Sequence, residues 1–541
     1  MKWVKRGSFE SLGELLSARD PGPEQDLPVK GLQEAADMIK DHALRFGADT
    51  ITIVGDYDAD GIVSTVNLSL SIYSRFRARP GVLFPRRFSD GYGLNTEMVD
   101  RIEAKLLVTV DNGITAVDAI QRAKERGMKV IVIDHHQMRD DGLLPPADII
   151  VDPHVTGGEF TGYCAAGLTF KLACMLTVDL ELIKKLLVLT GIATVADVVP
   201  LLSENRLLVK RSLALINEGK GTTGLRLLLS GRERVTDVDY GFFLGPVFNA
   251  AGRLYDTGAM VVYNVLSYDG EVWDKLQMAA DFLLNVNKTR KEITSLEAEK
   301  ALQDLPLTDG PIILTLPELS EGLVGIVAGR IAEERKRPAI VLTQKGPGLL
   351  KGSGRSAGDF DLKKALDKCA PFLQGYGGHK GAAGLSLKES DLEGFRKAFG
   401  QTAEGFAFPD PDCIFYDAEV EPEEMGGALM QLEAGGPYGE AFERPLVRTA
   451  FEAVYRYGGF YKLMGKDMKD VKVYGDGFDL VMFGMAQRFQ EEGCPRRIEA
   501  VGELSYNFFN GNAYVQLRAQ DFRSLQEDAA GDDLRRLLDF T

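Results

Sequence analysis

The amino-acid sequence predicts an α/β protein made of a parallel-sheet domain, a long helix, a smaller α/β domain and a C-terminal β-barrel. Apolar runs of strand length alternate with helical stretches between residues 50 and 200, as they do in βαβ units. A long helical pattern follows, and short β runs dominate after a proline-rich segment at 406–412. At 541 residues the chain is too long for one core, and a size of about 150 residues per domain indicates three or four units.

The first domain is predicted over residues 45–270, after an N-terminal arm over residues 1–44. Its strands are predicted at Ile51–Val54, Leu106–Val110 and Val130–Ile133, and each of them ends in a polar motif. Ligand sites in open parallel sheets lie at the carboxyl ends of the strands. We therefore expect the three motifs to converge in space.

A connecting helix is predicted over residues 271–305, a second α/β domain over 306–400, and a β-barrel with a C-terminal tail over 401–541. The helix is predicted from apolar residues at helical spacing, which are Leu276, Ala279, Ala280, Leu283 and Val286. Asn510-Gly511 is a hairpin signal within the barrel. Aromatic residues of the barrel could stack on nucleic-acid bases, but aromatics also simply favour strands, so both interpretations stay open. These aromatics include Tyr455, Tyr457, Tyr461, Tyr506 and Phe508.

Composition and charge exclude several classes of protein. With 45% hydrophobic and 26% charged residues, the chain has no apolar run long enough to span a bilayer. Its first residues do not form a signal-peptide pattern, so we expect a cytoplasmic protein without membrane association. Five cysteines without a CxxC pair argue against a disulfide framework or a structural zinc site. The net charge of -16 disfavours nucleic acid as a partner, but bound divalent cations would neutralise part of it, so charge does not decide the question.

Three carboxylates, Asp56, Asp58 and Asp60, follow the first predicted strand at alternate positions. An extended segment would put them on one side, where they would repel one another unless a cation lay among them. A hard divalent cation suits such a group of oxygen atoms. The pattern also resembles the start of a calcium loop, but Asn67 stands where that loop requires a glutamate. We therefore favour a catalytic metal site over a calcium loop.

Three further motifs supply candidate ligands. Asp111 ends the second predicted strand, although its Asp-Asn-Gly sequence is also a common turn. Asp134-His135-His136 ends the third strand and is more specific, because the chain has only five histidines. Imidazole together with carboxylates favours Mn²⁺. Asp197 lies in an apolar stretch, where a buried acid needs a partner such as a metal or a helix terminus.

Taken in order, the segments GDYDADG, VDNGI, DHH and ADVVPL resemble the motifs of the DHH phosphoesterases. Three later segments are similar to the RecJ branch of that superfamily, the single-strand-specific exonucleases: Phe248–Arg253, Gly352–Ser356 and Gly377–Gly384. Without the family, the last two would be interpreted as a flexible turn and a loop before a helix. The resemblance runs from about residue 45 to 525. It implies a DHH catalytic domain, a DHH-associated substrate-binding domain and an OB-like nucleic-acid-binding barrel.

The resemblance also implies roles for single residues. Two divalent cations, with Mn²⁺ favoured and Mg²⁺ the alternative, would be ligated by Asp58, Asp60, Asp111, His135 and Asp197. Asp111 would bridge them, and Asp56 would lie nearby or also ligate. Asp134 would orient the imidazoles, and His136 would contact the scissile phosphate or its leaving oxygen. The expected substrate-binding residues of the later segments are Asn249, Arg253, Ser353, Arg355, Ser356, Gly378 and His379. One departure is Ser320, where relatives usually carry a histidine.

The activity that the resemblance implies is hydrolysis of single-stranded DNA from the 5′ end to 5′-mononucleotides by two-metal in-line attack, in DNA repair and recombination. A single-stranded-DNA-binding protein and a helicase would be further partners. Two alternatives stay open: a phosphodiesterase of oligoribonucleotides or cyclic dinucleotides, and a non-catalytic replication-fork scaffold. The additional barrel favours a polymer substrate, and the complete acidic motifs favour catalysis.

Overall fold

The first domain contains a parallel β-sheet. The computed structural model describes residues 1–305, 308–509 and 511–525. The first six strands along the chain are β1 Lys2–Lys5, β2 Ile51–Gly55, β3 Gly81–Leu83, β4 Leu106–Val110, β5 Lys129–Ile133 and β6 Ile149–Val151. Strands β2 to β6 form the sheet in the order β3-β2-β4-β5-β6, with all neighbours parallel. The three strands predicted from the sequence are confirmed. The central strand β4 is buried along its whole length, as expected when both faces are covered.

Helices cover both faces of this sheet. They are α1 Leu12–Ala18, α2 Leu32–Phe46, α3 Ala59–Phe76, α4 Thr96–Arg101, α5 Val117–Glu125, α6 Pro153–Thr156 and α7 Ala165–Leu176. Because side chains alternate along a strand, Ile53 and Val108 pack with α2 and α7, whereas Val54 and Leu107 pack with α4 and α5. Only α1 of this set belongs elsewhere, because its Leu12 lies in the core of the C-terminal domain.

A mainly helical region completes the first domain and packs on the other side of α3. It contains α8 Leu180–Ala196, α9 Ser203–Asn217, α10 Thr223–Leu228, α11 Asp237–Asp239, a π-helical turn Tyr240–Leu244, α12 Gly245–Leu254 and α13 Gly258–Ser267. The predicted connecting helix is α14 Asp274–Asp304, which begins three residues later than expected, after Trp273. Its predicted apolar face packs against α12, with Ala279 only partly buried.

The second α/β domain has a mixed sheet. Its elements are β7 Ile312–Thr315, α15 Val324–Arg335, β8 Ala339–Gly346, β9 Leu349–Arg355, α16 Leu362–Lys368, β10 Gly375–Gly378, β11 Ala382–Lys388 and α17 Leu392–Thr402. The strand order is β10-β11-β9-β8-β7. The glycine-rich segments therefore lie in strands β9 and β10. Their interpretation without the family, as a flexible turn and as a loop before a helix, is wrong for both. Gly352 is needed in β9 because a Cβ there would lie 2.5 Å from the carbonyl oxygen of Val341.

The C-terminal domain is rich in β structure. Its elements are β12 Cys413–Tyr416, β13 Ala418–Glu419, α18 Met425–Gly435, β14 Leu446–Glu452, β15 Tyr461–Met464, β16 Asp470–Tyr474, β17 Asp479–Met482, α19 Ala486–Glu491, β18 Arg497–Phe509 and β19 Asn512–Ser524. The main sheet has the order β13-β14-β18-β19-β17-β16-β15. Strands β18 and β19 form the predicted hairpin, with Phe509 opposite Asn512. Asn510 of the hairpin signal and residues 526–541 of the predicted tail lie outside the described residues.

The segment predicted as an N-terminal arm is divided between two domains. Strand β1 pairs in parallel with β12, so the first residues belong to the C-terminal domain. Helix α2 instead packs on α7 in the first domain. Residues 19–31 run between these two anchors. None of the helices in the described ranges is both long and apolar enough to cross a lipid bilayer.

Candidate metal centre and phosphate site

Asp56, Asp58 and Asp60 lie at the turn from β2 into α3. The side chain of Asp58 accepts hydrogen bonds from the backbone N–H groups of Asp60 and Gly61, both at 3.1 Å. The segment is therefore not extended, contrary to the prediction, because Asp58 caps the helix and Asp60 lies in its first turn. Gly61 permits this tight turn, since a Cβ there would lie 2.4 Å from the backbone nitrogen of Asp56.

Asp60 lies at the N-terminal end of one helix, α7, and Asp197 lies at the C-terminal end of another, α8. The buried carboxylate of Asp60 accepts hydrogen bonds from the N–H groups of Ala165 and Ala166, at 2.7 and 2.8 Å, at the start of α7. The positive end of the helix dipole stabilises this charge. Asp197 follows the last residue of α8, where the dipole disfavours a carboxylate. A cation beside Asp197 would offset that unfavourable interaction.

Asp111 is held at the end of the central strand by its backbone. It has a φ of +61°, which is uncommon for a residue other than glycine. Its N–H donates to the carbonyl of Ile133 at 2.9 Å. The side-chain amide of Asn112 donates to the carbonyls of Val54 and Val110, at 3.1 and 2.9 Å. These bonds join the ends of β2, β4 and β5, so Asp111 lies between the other two motifs.

Asp134, His135 and His136 follow β5. Oδ1 of Asp134 accepts hydrogen bonds from Nδ1 of His136 at 2.7 Å and from the N–H of His135 at 2.8 Å. Its Oδ2 accepts one from the N–H of Ile114 at 2.9 Å. Burial would lower the pKa of His136, but the hydrogen bond to Asp134 and nearby carboxylates outweigh burial and raise it to about 9. Asp134 therefore orients the ring of His136, whereas its bond to His135 is to the backbone.

The acidic motifs and His135 come together in one cluster. Nε2 of His135 lies 3.1 Å from a carboxylate oxygen of Asp111, and 3.6 Å from oxygens of Asp60 and Asp197. Three groups of ligand atoms, each within 4.8 Å, are Asp56-Asp58-Asp111, Asp60-His135-Asp197 and Asp111-His135-His136. Asp111 and His135 each belong to two of these groups.

The electrostatics of this cluster fit bound cations. Burial, reinforced by the charge of Asp58, raises the pKa of Asp56 to about 8. Burial also raises the pKa values of Asp60, Asp111 and Asp197. Within the part of the chain that is described, Oδ1 of Asp56 is buried and has no hydrogen-bond partner. Divalent cations would satisfy these oxygens and remove the repulsion among them.

The second α/β domain forms the opposite wall of a cleft of about 880 Å³ beside this cluster. On the first domain, Asn112, Asp134 and His136 line the cleft. On the second, Gly378 and His379 line it. The histidine of the later glycine-rich segment therefore faces the histidine of the third motif across one cleft, as the resemblance implies.

Arg355 and Ser353 lie on β9 and contact one another. Nη1 of Arg355 donates to Oγ of Ser353 at 2.8 Å. Burial lowers the pKa of Arg355, and no carboxylate in the described ranges forms an ion pair with it. Helix α15 begins against this pair, because a Cβ on Gly325 would lie 2.9 Å from Arg355 and 3.0 Å from Ser353. The guanidinium is thus partly buried, is held by Ser353 and is available for an anion.

Three predicted substrate-binding residues have structural contacts of their own. The side-chain oxygen of Asn249 accepts a hydrogen bond from the N–H of Ala59 at 2.7 Å, at the start of α3. The hydroxyl of Ser356 donates to the carbonyl of Phe360. Gly378 has a φ of +135°, which favours glycine. These contacts support the site's backbone, and contact with a substrate stays a prediction for all three.

Arg253 lies where α12 meets the second α/β domain. Burial and the charge of Arg87 lower its pKa to about 10. The two domains approach closely here, because a Cβ on Gly322 would lie 1.9 Å from the carbonyl oxygen of Arg253. Ser320, the expected departure from the family pattern, lies in the turn just before this contact, and its carbonyl accepts a hydrogen bond from the N–H of Leu323 at 2.9 Å.

Comparison with known proteins agrees with this arrangement. Three family models match in chain order: the DHH family N-terminal domain at residues 50–194, the DHHA1 domain at 310–405 and the RecJ OB domain at 416–521. The chain is 33% identical over 529 residues to the single-stranded-DNA-specific exonuclease RecJ of Escherichia coli strain K12, covering 90% of this chain and 89% of that protein. The chain belongs to the RecJ family.

Two solved RecJ structures from Thermus thermophilus share the fold of this RecJ-family chain. The Mn²⁺ complex has a TM-score of 0.79 and 26% identity, and covers 97% of this chain and 80% of its own. The Mg²⁺ complex has a TM-score of 0.74 and 25% identity, and covers 97% of this chain and 79% of its own. The predicted fold class is confirmed. The two ions in these structures are those predicted here, which supports a divalent cation as cofactor.

Two residues near the metal centre of this RecJ-family chain were not predicted from the sequence: Tyr92, which lines the cleft, and Arg87. Tyr92 places its hydroxyl 3.2 Å from Nε2 of His136. The guanidinium of Arg87 lies 3.9 Å from the ring centre of Tyr57, and its Nε donates to the carbonyl of Gly252 at 3.1 Å. Both residues belong to the loop after β3, which carries no strand-end motif. The basic pair Arg86-Arg87 was the available signal.

Proposed function

We propose that this protein is a metal-dependent exonuclease that hydrolyses single-stranded DNA in the 5′-to-3′ direction and releases 5′-mononucleotides. The observation that carries this proposal is the cluster of aspartates with His135 and His136, which lies beside a cleft whose opposite wall carries His379 of the second α/β domain. Family membership supports the same substrate class. We further propose that it acts in the cytoplasm, in DNA repair and recombination.

The acidic cluster would hold two divalent cations, with Mn²⁺ favoured over Mg²⁺. The proposed ligands are Asp56, Asp58, Asp60, Asp111, His135 and Asp197. When bound, two such cations lower the pKa of an attacking water and stabilise negative charge on phosphate oxygens. Asp134 holds the ring of His136 by its Nδ1, so Nε2 of that ring faces the cleft and would contact the scissile phosphate or its leaving oxygen.

The opposite wall would bind the phosphates of the strand. Arg355 can present a planar fork of donors to a phosphate, and Ser353 fixes its direction. Arg253 and His379 would add further donors at the same cleft. Arg87 is also suited to phosphate, because its stacking on Tyr57 holds the guanidinium near Asp56 and Arg253. Asn249, Ser356 and Gly378 would act by supporting the backbone around these groups.

The C-terminal domain favours a long strand as substrate. The groove between this domain and α9 is lined by the aromatic side chains of Tyr506 and Phe508 and by both charge signs. Its cations include Arg234, Arg444 and Arg518, and its acids are Glu233, Asp237, Glu433 and Glu503, of which Glu433 pairs with Arg444 at 2.7 Å. Cations that follow a phosphate backbone and aromatics that stack on bases are the means by which single strands are bound without sequence preference. A single-stranded-DNA-binding protein and a helicase are proposed partners, because each acts on the exposed strand that this groove would accept.

The test is hydrolysis by the full-length protein with Mn²⁺ of a long single strand, a double strand and a dinucleotide. The proposal predicts release of mononucleotides from the 5′ end of the single strand. Cleavage of the dinucleotide alone would favour the small-substrate phosphodiesterase. Binding of the strand without any hydrolysis would favour the non-catalytic scaffold. Asp111→Ala is the control, since it should abolish hydrolysis and leave strand binding partly intact.

A second experiment tests the phosphate wall. Arg355→Lys keeps the charge but removes the bidentate geometry. We expect it to weaken binding of a 5′-phosphorylated strand by about tenfold or more, which corresponds to the loss of about 1.4 kcal/mol, and to affect a 5′-hydroxyl strand much less. Equal losses for the two strands would contradict a pocket for the 5′-phosphate.

A further inference from the structure

The C-terminal domain holds the loop that carries Asp197. Helix α8 ends at Ala196 and α9 begins at Ser203, so residues 197–202 form this loop. The N–H of Leu201 donates to the carbonyl of Glu440, in the C-terminal domain, at 2.8 Å. The Leu201 side chain packs against Gly439, where a Cβ would lie 3.1 Å from Cδ2 of Leu201. This loop of the metal centre therefore rests on a domain that supplies none of the ligand groups found in the described residues.

The 197–202 loop needs support from outside. Val198 has a φ of +58°, a conformation that is costly for a β-branched residue. Asp197 lies directly before it, at the unfavourable end of the α8 dipole. Neither local feature stabilises the observed position of the Asp197 carboxylate, so that position must depend on tertiary contacts.

Arg206, in the first turn of α9, is the main connection between this region and the C-terminal domain. Its side chain is almost fully buried and donates to three successive backbone carbonyls, at residues 435–437. It also donates to the carboxylate of Glu24 at 2.8 Å and lies 4.2 Å from the ring centre of Phe442. A lysine at this position would keep one charge but could not reach all of these acceptors.

The N-terminal segment meets the same junction. The N–H of Ser203 donates to the carbonyl of Pro21 at 2.6 Å, and its hydroxyl donates to the carbonyl of Pro23 at 3.0 Å. This segment begins as β1 on the C-terminal domain. The C-terminal domain therefore contacts the start of α9 both directly, through residues 435–440, and through the N-terminal segment.

We propose that Arg206 is a positioning residue for the metal ligand Asp197. The C-terminal domain, through Arg206 and Gly439, holds the 197–202 loop so that the Asp197 carboxylate lies 3.6 Å from Nε2 of His135. Affinity for one cation then depends on correct docking of the domain that would bind the strand. The inference rests on the proposed function only in taking Asp197 as a ligand.

Two variants test the inference from different sides. Arg206→Lys removes most of the connection, and Gly439→Ala adds a methyl group that would press on Leu201 without touching Arg206. Mn²⁺ binding to the metal-free full-length protein is measured at equilibrium by electron paramagnetic resonance of the free ion. We expect the dissociation constant of one of the two sites to rise by about tenfold in Arg206→Lys, and less in Gly439→Ala, as for other residues that orient a ligand. Hydrolysis should recover at high Mn²⁺.

Matched controls separate positioning from general destabilisation. Arg488→Lys alters a multiply bonded arginine within the C-terminal domain, and Gly426→Ala adds a methyl group where the structure has open space. Both should bind Mn²⁺ as the unmodified protein does. The inference is overturned if Arg206→Lys and Gly439→Ala bind Mn²⁺ within about twofold of the unmodified protein, or if Arg488→Lys weakens binding equally. If the unmodified protein binds no Mn²⁺, the proposed function fails instead.

Discussion

Asp56→Asn should stabilise the metal-free protein while it impairs the metal site. Asp56 is buried, and burial together with the charge of Asp58 raises its pKa from 3.8 to about 8. Keeping this carboxyl protonated at pH 7 costs the folded state about 1.4 kcal/mol for each pH unit above 3.8, or about 4 kcal/mol in all. Asparagine has the same shape and no charge, so we expect a gain of about 2–4 kcal/mol. This corresponds to an increase in Tm of about 5–10 °C for a domain of this size.

The sign of the pH dependence follows from the same shift. Because the folded state binds the Asp56 proton more tightly than the unfolded state, the contribution of Asp56 to the stability of the metal-free protein should be fully present below about pH 4 and be lost as pH rises to about 8. The Tm of chelator-treated protein, measured between pH 5 and 9 with and without Mn²⁺, tests this. Mn²⁺ should stabilise the unmodified protein and have a smaller effect on Asp56→Asn.

Asp148→Asn is the matched control, because its effect should have the opposite sign. Asp148 accepts hydrogen bonds from Lys124 and Lys129, and these outweigh burial and lower its pKa. Its replacement should therefore lower the Tm near neutral pH. A metal-free Asp56→Asn protein less stable than the unmodified one at pH 7, or an unmodified protein with constant Tm from pH 5 to 9, would refute the reasoning.

Three further predictions concern the support of the site. Ala165→Pro removes one N–H that donates to the buried Asp60, and its ring would press on that carboxylate, so it should weaken Mn²⁺ binding by about tenfold and lower the Tm; unaltered binding would contradict this. Gly322→Ala should push the two α/β domains apart and lower kcat/KM on single strands at least about tenfold, whereas Gly400→Ala, in open space, should not. Tyr92→Phe should lower kcat by roughly tenfold with an unchanged KM if its hydroxyl supports the cleft histidine, and an increase in KM alone would instead indicate uniform substrate binding.

The first three acidic motifs could be predicted because each lies at the end of a buried strand, whereas Asp197 follows helix α8. Strand periodicity and polar termination are local signals, and parallel strands bring their carboxyl ends to one edge. The conformation after β2 was predicted wrongly, because alternate carboxylates suit an extended segment equally well. Asp58 caps α3 instead, a choice that depends on donors of the following helix.

The second wall of the cleft could be predicted only through the family resemblance. Gly352 and Gly378 carry no local signal for a strand, and their place in β9 and β10 follows from close packing against neighbouring strands. Tyr92 and Arg87 were missed for a similar reason. Their loop is near the metal centre only because the folded chain brings it there.

The sequence by itself determined the order of the acidic and histidine motifs, the parallel sheet that collects them and, through resemblance, the family. It could do so because strand ends and residue types are local properties of the chain. Only the tertiary structure decided that His135 meets Asp60 and Asp197, that His379 faces His136 across the cleft, and that the C-terminal domain supports the Asp197 loop. Such contacts join residues far apart in the chain, and their geometry depends on how helices and domains pack.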